Sequence, residues 1–172
     1  MKKIDERVKP CENVSAESCA TGSAGNNMRI LKNHLEDLKL PSEAIDWLSM
    51  LWHVTQVWDD VADSDEIKRN DLDNAIWYSL VGMYANPFFQ ANSSSLLPVV
   101  ANVIMKWQAS DYAERESESD ARSFVWRAGF YDVVMITVIL CHGHEKAKQI
   151  APYVMNMYGE KLEDYLKEFG HG

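Results

Sequence analysis

Cysteine is scarce in this chain: Cys11, Cys19 and Cys141 are the three in 172 residues. They are too few and too scattered for a disulfide framework or a zinc site, which points to a reducing cytoplasm. Positive charge is also short. Lys and Arg total 17 against 26 Asp and Glu, a formal charge of −9, which argues against nucleic acid or an anionic membrane as the general partner. No apolar run reaches the roughly 18 residues of a membrane-spanning helix. Residues 1–7 open basic but lack the apolar stretch of a secretory signal. GxSxG, the Walker loop, GxGxxG and HExxH are all missing, which removes the commonest hydrolase, nucleotide and zinc-protease signatures.

What is present suits one folded domain. Hydrophobic residues make up 47% of the chain, and a chain of this size buries about 70% of its unfolded surface. Residues 1–27 stand apart as small, polar and aperiodic, and read as a flexible tail carrying Cys11 and Cys19. From Met28 to about residue 170 the period is helical almost throughout. Ile30, Leu31, Leu35 and Leu38 mark a first helix, and Ser42 stands where an N-cap belongs. Ile45, Leu48, Leu51, Val54, Trp58 and Ala62 mark the second helix. A third, capped by Asn70, places Leu72, Ile76, Leu80 and Met83 inward and stops at Asn86-Pro87. Ser93–Ser95 open a fourth, with Pro98 in its first turn. Phe124 to Cys141 read as one buried helix stopped by Gly143, followed by a helix over Glu145–Tyr158 and a short one ending at Phe169. The expectation is an all-α bundle of six or seven helices.

The acidic residues carry the clearest chemical signal. Asp59 and Asp63 lie four apart on one helical face with Asp60 beside them, although like charges at this spacing repel and a helix C-terminus disfavours anions. Hard oxygen ligands at one helix end suit Mg²⁺, which keeps open positions for phosphate oxygens. Lys68 and Arg69 would then meet the same phosphates. Asp111, Glu114 and Glu118 share one face of the fourth helix and are a candidate second set of metal ligands. The bland alternative is a solvated acidic surface, and a third is an acidic docking surface.

Asp59-Asp60-x-x-Asp63, four residues, then Lys68-Arg69 resembles the first aspartate-rich motif of trans-isoprenyl diphosphate synthases, an all-α family. The resemblance implies Asp59 and Asp63 as Mg²⁺ ligands and Lys68 and Arg69 as diphosphate contacts. Lys68 replaces that family's first arginine, and no second DDxxD is present. Glu43-x-x-Asp46 and Asp60-x-x-Asp63 are similar in spacing to the ExxE and ExxD pairs of small all-α nucleotide pyrophosphohydrolases. Leu51–Asp60 and Ser123–Phe130 resemble small helical proteins of tailed phages and prophages, which implies a host cytoplasm.

Other residues read as structural. His53 is expected to be a partly buried framework residue, and His142 and His144 flank the Gly143 cap. Asp132 precedes an apolar run and is expected to be buried and paired with Arg127 or Arg122. Trp47, Trp52 and Trp58 cannot all face one way on the second helix, so at least one is expected to meet another chain or a ligand. The two functional readings are therefore an accessory protein that binds another protein through an acidic, Trp-bearing surface, and a Mg²⁺-dependent enzyme acting on a diphosphate ester.

Overall fold

The computed structural model describes residues 24–169, and every regular element among them is helical. The expected tail falls outside the described residues up to position 23, and with it Cys11 and Cys19. Residues 24–27 are not tail but the first turn of α1 (Ala24–Asp37). Its Leu31, Leu35 and Leu38 are buried against α2 (Ser42–Asp63) across a short turn in which Lys39 takes a left-handed conformation. The cap of α2 lies one residue earlier than expected, at Pro41, and the Ser42 hydroxyl donates to Glu43 instead.

Helix α2 is the spine. Ala44, Trp47, Leu48, Leu51, Val54 and Val57 form its buried stripe, and the stripe then runs out of cover at Trp58, which is 60% exposed, and at Val61. Full burial of a side chain such as Leu48 contributes about 1.5–3 kcal/mol. Ser64, left-handed, ends α2, and Asp65 donates its N–H to the Asp60 carbonyl at 2.9 Å.

A composite rod packs along α2. It consists of α3 (Arg69–Trp77), a π-helical turn (Tyr78–Gly82) and α4 (Met83–Ala85), with α3 starting after Lys68 rather than at an Asn70 cap. Ala75, Tyr78 and Met83 pack on Val54 and Val57. Their spacing is three and then five, and the five-residue step is that of a π-turn. The face read inward from a 3.6 period is therefore the outer one: Leu72, Ile76 and Leu80 are exposed.

Helix α5 (Pro87–Arg115) also starts earlier than expected. Asn86 accepts the Phe89 N–H at 3.1 Å, Pro87 supplies the first residue, and Pro98 falls inside the helix rather than in its first turn. The long buried helix expected from Phe124 is broken. Helices α6 (Ala121–Arg127) and α7 (Phe130–His142) meet at a 50° bend around Ala128-Gly129. A Cβ at Gly129 would lie 3.2 Å from Val103 of α5, so glycine is what lets the corner approach. Val133, Val134, Thr137 and Val138 then carry α7 through the core, and Gly143 ends it. Helix α8 (His144–Met155) runs through Pro152, and α9 (Leu162–Phe169) docks by Tyr165. No single described helix is long and apolar enough to cross a membrane.

Candidate functional site

The acidic end of α2, the C-terminal part of α5, α6 and α9 converge on one guanidinium. Arg127 donates to Asp59 at 3.2 Å and to Glu114, and lies 3.9 Å from Asp63. Its side chain is only 18% exposed and that of Glu114 only 7%. Burial alone would lower the Arg127 pKa, but the carboxylates of Asp59, Glu114 and Asp63 outweigh it and hold the guanidinium above its ordinary range. Neutral donors satisfy the remaining oxygens. Trp107 Nε1 donates to Asp59 at 2.7 Å, and Ser110 Oγ and Tyr165 OH each donate to Glu114 at 2.9 Å. Tyr165 also reaches Ser123 Oγ at 2.8 Å, and the Phe169 ring covers Arg127 at 5.4 Å.

This arrangement sorts the expected ligands. Asp59 and Asp63 do meet Glu114 of the second set, but across Arg127 rather than a cavity. Asp60 makes no ion pair with Arg127, and the acids that act on it are Asp65, Asp59 and Asp71. Asp111 pairs with Arg115 at 2.9 Å, and Glu118 is exposed. Arg69 pairs with Asp73 at 3.0 Å, and Lys68 is exposed. Glu43 and Asp46 lie at the opposite end of α2 from Asp60 and Asp63, about 25 Å away at 1.5 Å per residue. One copy therefore cannot close both pairs on a single nucleotide. Among the described residues no group of three or more His, Cys, Asp or Glu is arranged to hold a metal ion. The Asp59 and Glu114 oxygens are engaged by Arg127, Trp107, Ser110 and Tyr165, whereas Asp63 is half exposed and 3.9 Å from Arg127.

Asp132 departs from expectation on both counts. Its partner is Lys106, at 2.5 Å, and its side chain is 35% exposed. A pair this open is worth at most about 1 kcal/mol. Both arginines expected there are engaged elsewhere, Arg127 in the network and Arg122 with Asp120 at 2.7 Å. His53 is the half-buried framework residue expected: Nε2 lies 3.0 Å from the Asp71 carbonyl and the ring meets Tyr78 edge-on. A carbonyl only accepts, so Nε2 carries the proton. His142 likewise bonds the Leu38 carbonyl, at 2.9 Å.

The pKa of Asp60 is raised, first by burial and then by Asp65, Asp59 and Asp71, with His53 opposing. A raised carboxyl binds its proton more readily folded than unfolded, so the cost of ionising it is felt at neutral pH and relieved as pH falls through the carboxylate range. Asp60→Asn should therefore be as stable as wild type or more so at pH 7, and its advantage should vanish below about pH 4. Thermal melts across that range check this; an Asn variant weaker at pH 7 would show a carboxylate that holds something in place.

A second surface has the opposite character. Residues 74–105 contain no Asp, Glu, Lys, Arg or His, in a chain that is 25% charged. The run covers most of the rod and the first two-thirds of α5. Ile76, Trp77, Leu80, Val81 and Tyr84 stand exposed on it, with Leu80 at 71% and Trp77 at 60%, as do Leu97, Ile104 and Met105 on α5. Surfaces depleted of charge and rich in aromatic and aliphatic groups are typical of interface centres. The run is plain in the sequence; helical periodicity hid its meaning by assigning Leu72, Ile76 and Leu80 to the core. An open cleft of about 540 Å³ lies between α1, α2 and the rod, lined by Lys32, Asp46, His53, Asp71 and Tyr78 among others.

The chain matches no known protein family, no curated protein and no solved structure.

Proposed function

We propose that this chain is a cytoplasmic accessory protein that docks on protein through the charge-free outer face of the rod. The observation that carries this reading is the run 74–105, with Ile76, Trp77, Leu80 and Tyr84 exposed along it. Folded monomers rarely leave contiguous apolar patches of this kind uncovered unless they bind something. Lipid is the poorer fit, because interfacial helices are rich in Lys and Arg beside their apolar face, whereas Asp65, Glu66, Asp71 and Asp73 outnumber Lys68 and Arg69 at the start of this one. Exposed Trp58 and Val61 add an apolar edge at the acidic end of α2.

A photo-crosslinking amino acid in place of Trp77 tests the reading. Protein adducts should form there and not at Lys148, an exposed position on α8, and unlabelled wild type should compete them away whereas Leu80→Glu should not. Adducts no stronger at position 77 than at 148 would overturn it.

The diphosphate-ester enzyme has one observation in its favour, the convergence of Asp59, Asp63 and Glu114 on one point. It requires Arg127 to leave. Stabilisation by millimolar Mg²⁺ with pyrophosphate, beyond that of Na⁺ at matched ionic strength, would put this reading first.

A further inference from the structure

The cleft between α1, α2 and the rod is large enough to hold a small molecule. Its volume, about 540 Å³, falls within the roughly 300–1,000 Å³ of small-ligand sites. Tyr78 and Gly82 of the π-turn form part of one wall, and such turns are frequent at functional sites. The rod residues that line it, Asp71, Asn74 and Tyr78, lie on another face of the rod from Leu72, Ile76 and Leu80. A ligand here is therefore independent of docking on the outer face.

Lys32, Asp46 and Asp71 are the charged residues of the lining, and none makes an ion pair or a side-chain hydrogen bond with another described residue. Lys32 and Asp46 both lie within two turns of the short connection between α1 and α2, which puts them at one end of the cleft. Asp71 belongs to the other end, where its carbonyl accepts the His53 Nε2–H at 3.0 Å. His53 is seven residues after Asp46, two turns on and about 10 Å along the same face of α2. With Nε2 committed, Nδ1 is an acceptor without a partner among the described residues. Met50, on that face between Asp46 and His53, joins Tyr78 in the apolar part of the lining.

The complement of one cation and two anions is one anion and two cations. We infer that the cleft binds a free basic amino acid of the lysine or arginine type, with its α-carboxylate on Lys32, its α-ammonium on Asp46 and its terminal cation on Asp71 and His53 Nδ1. The chain between the two cationic groups of such a molecule spans roughly 7 Å, and a hydrogen bond at each end brings it to the separation of the two carboxylates. A phosphate ester is the wrong charge, since it would meet two carboxylates for one ammonium. The net charge of −9 also favours a cationic ligand over an anionic one. The ligand is small and the cleft open, so the binding is weak, with a dissociation constant of roughly 0.1–1 mM.

Titration of the full chain with L-lysine and L-arginine, followed by NMR at about 0.15 M salt to screen non-specific attraction of cations, tests this. Both should bind saturably, and norleucine, without the terminal cation, and cadaverine, without the carboxylate, should each bind at least about tenfold more weakly, the worth of one hydrogen bond to a charged group. Lys32→Ala should weaken lysine by a similar factor and leave cadaverine unchanged, whereas Asp71→Asn should weaken both. Helix content should be unchanged in either variant, because Lys32 is exposed and Asp71 half-buried. No saturable binding of lysine or arginine below about 10 mM overturns the inference. So does cadaverine binding wild type as tightly as lysine, or lysine binding that Asp71→Asn leaves unchanged.

Discussion

Arg127→Met should melt on the order of 10 °C below wild type. Methionine keeps most of the side-chain volume but leaves Asp59, Asp63 and Glu114 facing one another without their cation. Breaking one partner out of a buried ion pair typically costs about 3–5 kcal/mol, and at this size 1 kcal/mol moves the midpoint about 2–4 °C. Asp63, the most open of the three, contributes little, so most of the loss comes through Glu114 and Asp59. The deficit should shrink as pH falls, because crowded carboxylates left without Arg127 take up protons more readily folded than unfolded, and the folded state gains wherever it binds more protons. Divalent cations should recover part of the loss in the variant, since the vacated point then offers free oxygens. A drop below about 1 kcal/mol at neutral pH would mean that water already screens the network.

Tyr165→Ala should release α9 while leaving the rest of the bundle folded. Tyr165 is the one buried residue of α9, packed against Phe124 and Phe169 at ring separations of 5.5 and 5.2 Å, with its hydroxyl shared between Glu114 and Ser123. Truncating a buried aromatic costs about 3–5 kcal/mol, and a helix this short does not hold itself in water. Amide exchange over 162–169 should rise to the rate of unprotected chain, with protection in α2 and α7 retained. Tyr165→Phe keeps the ring and removes the donor, so it should cost about 1–3 kcal/mol, the penalty of leaving buried acceptors short. Unchanged protection of 162–169 in the alanine variant would show that other contacts hold α9.

The all-helical class was legible because the buried stripe of α2 repeats at three and four from Ala44 to Val57. The convergence of Asp59 and Asp63 with Glu114 was half legible. Spacing put the first two on one face and Glu114 on another, but nothing local announces that Arg127, far along the chain, closes the gap. Trp107, Ser110, Ser123 and Tyr165 escaped for the same reason, since hydrogen bonds between distant segments leave no period. Asp132 takes a partner the sequence does not point to, because Lys106 lies on another helix, where neither period nor proximity in sequence indicates it. Asn86-Pro87 read as a stop was also a start, one residue pair serving both helices. The rod's inward face is hidden from a 3.6-residue period for a geometric reason, one turn with an extra residue.

That turn has a consequence for phase. In a regular helix, steps of four residues advance about 400°, so a row at 72, 76, 80 and 84 would wind about 120° around the axis over its length. The extra residue in Tyr78–Gly82 holds the rotation back by about 100°, which nearly cancels the winding and leaves Leu72, Ile76, Leu80 and Tyr84 along one straight edge. The π-turn works as a vernier between the two halves of the rod. With that residue removed, α4 would be a quarter-turn out of step, Met83 would swing away from Val54 and Val57, and the straight edge would become a spiral that a flat partner meets at only one end.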